Sequence, residues 1–255
     1  MGYFNIEFKP SFSGVATMAT TYTNGDVLFD WQEIDMPGGH VRIHGISMVA
    51  QGTNGVTQGF TTQLLFAHLD QSNNLPISIG TTNATASGIN HYSQLCGTAK
   101  MELTASGLDF FSVFTTGGTD GDYDGGLVIE TNKRRNLDTQ DLVPNMINTG
   151  KIAIAGINTA GAADFNTGVL LNQNGNQAAL AAPTPTTLTV DGVNATKVFM
   201  RGDVIHAADG ALIGTILSVA ANGLSIVVDN VAAPLLDDDE LMHSRPVKVI
   251  LHCEM

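Results

Sequence analysis

The chain has 255 residues, with 24 acidic and 11 basic side chains and a formal net charge of −13. This charge disfavours a nucleic-acid partner, because such binding depends on Lys and Arg neutralising phosphates. No apolar run approaches the ~20 residues that cross a bilayer, so we expect no membrane partner. The N-terminus lacks a basic leader and a continuous apolar core, so we expect no signal peptide and synthesis in a cytoplasm without export.

Alternating and short apolar segments, bounded by Gly, Asn, Asp and Pro, dominate the chain, and helical periodicity is nearly absent. The strands predicted up to residue 159 are 3–9, 27–34, 41–49, 60–69, 75–79, 108–115, 127–130 and 151–157. Residues 80–93 are predicted as a loop, and residues 138–146 hold the one predicted helical turn. Many short strands separated by turns predict an all-β fold, with a β-sandwich or jelly-roll-like body over residues 1–159.

Residues 160–187 interrupt this pattern. They are rich in Ala, Asn, Gln and Gly, and they end in Pro183-Thr184-Pro185. Such a composition predicts a linker or an arm on the surface.

A small β-barrel-like module is predicted over residues 188–244. Its turns at Ala208-Asp209-Gly210 and Asn222-Gly223 favour hairpins of type I′, in which both central residues need positive φ. The last predicted strand, 246–253, needs a sheet from earlier in the chain. We therefore expect 245–255 to complete the body, the module to be an insertion, and strands 151–157 and 247–252 to be neighbours in one sheet.

The module carries a spacing that resembles small barrels in structural proteins of tailed bacteriophages. It runs over Phe199-x-x-Gly202-Asp203-x-Ile205, followed by Asp209-Gly210-x-x-Ile213-Gly214-Thr215-Ile216. The resemblance covers about sixty residues and implies a component of the virion without catalysis.

The leading hypothesis is a capsid decoration or cement subunit that binds the major capsid protein and itself, as a homotrimer or other symmetric oligomer. A tail-tube or neck subunit is the alternative within that class. Only 14% of the residues are charged, and uncharged polar surface costs little free energy to bury against a neighbour. The contrasting class is a carbohydrate-binding module or β-sandwich hydrolase. Trp31, the single tryptophan, is expected in the core, which leaves few aromatic side chains to stack on sugars.

The strongest site-like motif is Asp120-Gly121-Asp122-Tyr123-Asp124-Gly125-Gly126. Carboxylates at alternate positions followed by Gly can wrap a hard cation, so Asp120, Asp122 and Asp124 are the candidate calcium ligands. Glu130 falls one position short of the place of the bidentate Glu in an EF-hand, which disfavours that type of loop. A solvated turn, in which the Asp side chains bond their own backbone, remains the alternative. We expect no other cofactor.

Other polar clusters favour surface roles. His40, Arg42 and His44 fall on one face of a strand, with the two imidazoles ~13 Å apart, too far to share a metal. That face is expected to meet solvent or a partner. The basic run Lys133-Arg134-Arg135 is predicted in a loop, and the acidic run from Asp237 to Glu240 as a solvated face.

No sequence signature of a known enzyme class occurs, including Gly-x-Ser-x-Gly, the Walker loop, the dinucleotide fingerprint and HExxH. Cys96 and Cys253 lie far apart in the sequence and neither belongs to a CxxC, so both are expected as core thiols. We therefore expect no enzymatic activity. Catalytic triads are nevertheless defined by geometry and not by sequence order.

Overall fold

The computed structural model describes residues 2–12, 20–51, 59–87, 94–103, 111–116, 127–130, 133–135, 142–144, 150–172 and 177–255. No α-helix occurs among these residues, and strands dominate, so the all-β prediction is confirmed. The strands form two packed sheets in the body and a separate six-stranded sheet near the C-terminus.

Two antiparallel sheets make up the body. The first sheet contains, in spatial order, β1 (Tyr3–Phe8), β17 (Val247–Glu254), β3 (His40–Gln51) and β6 (Phe111–Thr116), and β7 (Leu127–Glu130) also pairs with β3. The second sheet contains β2 (Val27–Asp35), β10 (Lys151–Ala160), β4 (Phe60–Ala67) and β5 (Leu95–Leu103).

The chain alternates between these sheets. It runs from β1 in the first sheet to β2 in the second, returns to β3, and then forms the β4–β5 pair of the second sheet. It returns to the first sheet in β6 and β7, crosses to β10, and ends in β17. Two packed sheets connected in this way form a jelly roll, so the predicted body architecture is confirmed.

The last two body strands correct one expectation. β10 lies in the second sheet and β17 in the first, so the prediction that they are neighbours in one sheet is wrong. Both strands alternate in burial, but alternation shows only that one face of a strand is covered. It does not specify which sheet a strand joins, and a jelly-roll chain changes sheet at this connection.

The main core lies between the two sheets. Each inward-facing large apolar side chain contributes ~1.5–3 kcal/mol when fully buried. The fully buried members from the sheets include Leu28, Phe29, Leu64, Phe66, Val41, Met48, Val249 and Leu251.

A smaller cluster covers the opposite face of the second sheet. Trp31 and Leu65 pack there against Ile79, which comes from the segment after β4. The Ile79 amide donates a hydrogen bond to Asp30 Oδ1 at 3.0 Å, and its carbonyl accepts from the Ser87 amide at 2.7 Å. Residues 75–79 therefore form a cover over the sheet and not the predicted strand, while the core position of Trp31 is confirmed.

The module is a nearly closed barrel. Its strand order is β11 (Val169–Leu171), β12 (Thr186–Gly192), β15 (Ser225–Val228), β14 (Leu212–Val219), β13 (Val204–Ala207) and β16 (Leu241–His243). The sheet closes because Leu171 exchanges backbone hydrogen bonds with Asp238 and Asp239, just before β16. A 3-10 turn, Ala195–Lys197, follows β12.

Two hairpins of the module share one turn geometry. The sequence Ala-Ala-Asx-Gly occurs at residues 207–210 and again at 220–223. In each turn the Gly amide donates to the first Ala carbonyl, at 2.9 and 2.8 Å. Gly210 and Gly223 have positive φ, whereas Asp209 and Asn222 do not. The predicted hairpins are confirmed, but type I′ is wrong, because this is a type I turn followed by Gly in the left-handed region.

Residues 160–172, the first part of the predicted surface arm, differ from that prediction. Phe165 is buried in the body core, and Val169 and Leu171 are buried in the module core. β11 also brings this segment into the barrel, well before the expected module boundary at 188. Composition misled here because Phe165 is a single large side chain in a run of small ones.

The module is joined to the body by several contacts. Met242 of β16 is fully buried in the body core. The Ser244 carbonyl accepts from the Phe12 amide at 3.1 Å, and Gln51 Nε2 donates to the Val198 carbonyl at 2.8 Å. The segment that returns from the barrel to β17 is also held by the Gln51 backbone amide, which donates to the Pro246 carbonyl at 2.8 Å.

A two-stranded pair lies outside these sheets. β8 (Lys133–Arg135) pairs with β9 (Leu142–Pro144) in antiparallel register. The basic run therefore lies in a strand and not in the predicted loop. Residues 142–144, which belonged to the predicted helical turn, are also strand.

Candidate interaction surface

The predicted calcium ligands Asp120, Asp122 and Asp124 lie outside the described residues. Among the residues that are described, no three His, Cys, Asp or Glu side chains gather to hold a metal. Calcium binding by the acidic loop stays a prediction. A fall in melting temperature on adding a chelator would test it.

The strongest surface candidate is the solvent-facing side of the first sheet, called the outer face below. Burial alternates along the start of β3, with Val41 and Ile43 inward and His40, Arg42 and His44 outward. The predicted common face of these three polar residues is confirmed. Strand pairing then shows which side chains from β1, β17 and β7 lie beside them.

One row of side chains crosses four strands of the outer face. Tyr3 of β1 pairs with Glu254 of β17, Glu254 with Arg42 of β3, and Arg42 with Val128 of β7. Tyr3 is 77% exposed and Val128 49%, so both ends of the row carry large apolar surface.

Glu254 lies at the centre of this row and is only 7% exposed. Its Oε2 lies 2.7 Å from His44 Nε2 and 3.9 Å from Arg42 Nη1. The ring of Tyr3 lies against that of His44, with centroids 5.7 Å apart. The carboxylate therefore lies between an arginine and a histidine, and Tyr3 packs against the histidine with most of its own surface free.

A second row contains a chain of hydrogen bonds across three strands. His252 Nε2 lies 2.8 Å from Ser47 Oγ, and His252 Nδ1 lies 3.0 Å from Asn5 Oδ1. Nearby, Lys248 Nζ pairs with Glu7 Oε2 at 2.7 Å. The charged groups of the outer face are thus largely matched within the chain.

Sequence reasoning missed most of this surface. The one local indication was the alternation in β1, which puts the side chain of Asn5 on the face opposite to Phe4 and Ile6. The pairing of β1 with β17 joins residues about 250 positions apart, and no local pattern specifies such a pairing. Tyr3, Ser47 and His252 could therefore not be assigned to one face from the sequence.

A separate polar cluster lies inside the module, near its connection to the body. Buried His243 Nε2 lies 3.2 Å from Asp203 Oδ1, and His243 Nδ1 accepts the Arg245 amide at 2.8 Å. Burial acts to raise the pKa of Asp203. The hydrogen bond and charge of His243, the Met200 amide and the charge of Lys9 outweigh it and lower that pKa. Burial, and secondarily the charge of His243, lowers the pKa of His206.

The acidic run from Asp237 to Glu240 forms a turn and not a paired acid site. Asp238 has positive φ, and Asp239 Oδ2 accepts the Leu236 amide, so this carboxylate caps its own loop. Glu240 Oε1 accepts the Gly168 amide at 2.8 Å and so ties β11 to the same loop. Asp237 and Asp238 are exposed, as predicted, whereas Asp239 and Glu240 are half-buried.

Both cysteines are free thiols. Cys253 is buried in the main core, and this burial raises the pKa of its thiol to about 11. It therefore stays protonated at neutral pH and behaves as a small apolar side chain, as predicted. Cys96 is half-buried and packs against the same core.

The chain matches no known family model, and no curated protein matches its sequence. Within the ranges that the structure describes, no helix is both long and apolar enough for a membrane crossing.

Proposed function

We propose that the chain is a structural protein of a virion, and specifically a capsid decoration or cement subunit without enzymatic activity. Its work is binding: it buries apolar and neutral polar surface across neighbouring capsid subunits and so resists their separation. The proposed partners are the major capsid protein and further copies of the same chain in a symmetric oligomer. Its proposed location is the virion, after synthesis in the cytoplasm of the host.

The observation that carries this proposal is the outer-face row from Tyr3 to Val128. Tyr and Arg are the residue types that dominate binding energy at protein interfaces, where they sit in the centre of the buried patch. Here the exposed Tyr3 packs against His44, whose Nε2 lies 2.7 Å from Glu254 Oε2, and Arg42 Nη1 lies 3.9 Å from the same oxygen. Such a pre-ordered surface loses little side-chain entropy when a partner covers it.

Fold and composition support the same class. Jelly rolls are common in viral capsid domains, although lectins and cupins use them as well. The low charge content also supports a binding role. Only 14% of the residues are charged, so covering the surface with a partner removes few charges from water. Fold alone does not determine function, so the proposal depends on the outer face.

Carbohydrate binding is the contrasting hypothesis, and the aromatic residues disfavour it. Trp31 is 6% exposed and packs under the segment at residues 75–79. Tyr3 is the one aromatic among the large exposed apolar side chains of the described residues. Sugar-binding clefts usually need several exposed aromatic rings. A glycan array would show specific sugar binding if this alternative held.

Sedimentation with capsids tests the proposal. The purified chain is mixed with particles assembled from the major capsid protein of the same genome, and the bound fraction is measured. We expect saturable binding with a fixed copy number per capsomer. Tyr3→Ala should weaken binding by roughly tenfold or more, because truncating an aromatic hot-spot residue costs ~2 kcal/mol or more.

Leu236→Ala is the matched control, since Leu236 is a similarly exposed side chain on the module. It should bind capsids like the unmodified chain. A chain that remains a 26.8 kDa monomer at high concentration and does not sediment with capsids would contradict the proposal. Immunogold labelling confined to the tail or neck would favour the alternative position within the virion.

A further inference from the structure

The chain Asn5–His252–Ser47 on the outer face has the connectivity of an activated nucleophile. Its three members come from adjacent strands β1, β17 and β3. The hydroxyl lies 2.8 Å from one imidazole nitrogen, and the other nitrogen lies 3.0 Å from an amide oxygen. A nucleophile bonded to a base that a third group orients is the geometric signature of nucleophilic catalysis.

Strand register explains how His252 reaches Ser47. His252 is opposite Gly45, whereas Ser47 is opposite Ile250, two positions along the strand. Gly45 has no side chain, so the imidazole can lean across it to the diagonal neighbour. The ladder also shifts register beside this pair, between His252 and Cys253. Such bulges bend a strand locally and change the direction of neighbouring side chains.

The hydrogen-bond partners also assign the proton positions. An amide oxygen such as Asn5 Oδ1 only accepts, so the proton of the neutral ring is on Nδ1. Nε2 then carries the lone pair and accepts the hydroxyl proton of Ser47. This is the tautomer that a general base needs, and Asn5 selects it.

We propose that Ser47 is a reactive serine that takes up an acyl group from an activated carboxylic ester. Ser47 Oγ attacks the ester carbon and gives its proton to His252 Nε2. The bond between carbon and the leaving oxygen breaks, and the proton passes to that oxygen. The net change is transfer of the acyl group to Ser47 with release of the alcohol, and it requires no oxidant or cofactor.

The surrounding sheet favours an acyl group that stays on Ser47 and is not hydrolysed off. Ser47 pairs with Ile250 on one side and Thr115 on the other. Backbone amides engaged in these ladders cannot also stabilise the oxyanion of a tetrahedral intermediate, a contribution worth roughly 100-fold or more in rate. With the general base present, an activated ester should acylate Ser47 faster than other serines. The resulting serine ester has a poorer leaving group, so without an oxyanion site its hydrolysis is slow. This inference is independent of the capsid proposal.

Reaction with p-nitrophenyl acetate tests the inference. Acetylation of each serine is followed in time by peptide mass spectrometry of the full chain, with Ser218 as the internal reference because it is an exposed serine of the module. We expect Ser47 to react roughly 100-fold faster than Ser218, the size of a general-base contribution. His252→Gln should remove most of that advantage, and Asn5→Ala should reduce it by a smaller factor.

Asn5 is exposed, so Asn5→Ala should leave the fold intact even if His252→Gln perturbs the sheet. Melting curves of both variants identify any loss of structure. Equal acetylation rates for Ser47 and Ser218 would overturn the inference. The inference would also be overturned if His252→Gln and Asn5→Ala both fold and both keep the full rate advantage of Ser47 over Ser218.

Discussion

Asp203 ties together separate parts of the module through its two carboxylate oxygens. Oδ1 meets His243 of β16, and Oδ2 accepts the Met200 amide at 2.8 Å. His243 accepts the Arg245 amide through Nδ1, so Nε2 is the nitrogen that donates to Asp203. The carboxylate therefore holds the returning strand against the turn that precedes β13.

Asp203→Asn should destabilise the chain at neutral pH by about 2 kcal/mol, because hydrogen bonds to charged groups contribute roughly 1.5–3 kcal/mol. The folded pKa of Asp203 is lowered, so its stabilisation is present above the unfolded pKa of ~3.9 and is lost as the pH falls through the folded pKa. Urea unfolding followed by far-UV circular dichroism should show this difference shrink below pH ~4. A difference that is constant down to pH 2 would contradict the prediction.

His206 should also make the chain less stable as the pH falls, but in a higher pH range than Asp203 does. Burial and the charge of His243 lower its folded pKa, so the folded state favours the neutral ring. Its contribution is complete above the unfolded value of ~6.5 and is lost as the pH falls through the folded pKa. The free energy of unfolding should therefore decline as the pH falls below ~6.5, and His206→Gln should flatten that part of the profile. An unchanged profile in the variant would exclude this role for His206.

At the scale of the elements, β10 shows how close contact fixes a residue type. A Cβ atom on Gly156 would lie 2.6 Å from Cε1 and 2.9 Å from Cζ of Phe29, whose ring is fully buried. The glycine therefore allows the Phe29 ring to lie against the backbone of the neighbouring strand, at the point where the register between β10 and β2 shifts.

Gly156→Ala should therefore destabilise the body by ~1–3 kcal/mol, the usual cost of overpacking. Gly38→Ala is the control, since its added Cβ would meet no atom within 4 Å and its φ is not positive. Chemical denaturation followed by Trp31 fluorescence reports on the body directly. Equal midpoints for the two variants would mean that the Phe29 ring moves away at little cost.

Local signals predicted most of the strands and both hairpins of the module. The alternation in β1 and β3 follows from the two-residue period of a strand, and the Asx-Gly pairs mark tight turns. Among the missed strands, β5 does alternate, with Lys100 and Glu102 exposed and Met101 and Leu103 buried, but Gly97 and Ala99 add no large apolar side chain to its first half. Turn type was beyond the sequence, because Asp209 and Asn222 tolerate either sign of φ and the hairpin length decides between them.

Non-local pairings were the part that could not be predicted. The sheet that receives β17, the burial of Phe165 and the hydrogen-bond chain of His252 all depend on residues far apart in sequence. For the outer face, the sequence predicted that His40, Arg42 and His44 share one side. It gave no indication that Tyr3 and Glu254 complete that row.

For the molecule as a whole, the position of β17 links the module to the stability of the body. β17 lies between β1 and β3 and contributes Val249 and Leu251 to the main core. A chain that stops at residue 244 lacks this central strand, so the first sheet cannot form as one unit. We expect the body of such a chain to remain unfolded.

Trp31 fluorescence measures that outcome, because the single tryptophan is buried in the body. The truncated chain should show red-shifted emission, whereas removing only the exposed Met255 should not. A blue-shifted, native-like spectrum of the truncated chain would contradict the central role of β17.

The same position of β17 determines the order of events on a ribosome. All six strands of the barrel are translated before β17, so the barrel can close while the two halves of the first sheet are still separate. About 200 residues separate β3 from the end of β17, which corresponds to roughly 10–40 s of translation. During that interval the apolar sides of β1 and β3 lack their shared neighbour. The nascent body therefore offers chaperones a binding surface until residue 254 has emerged.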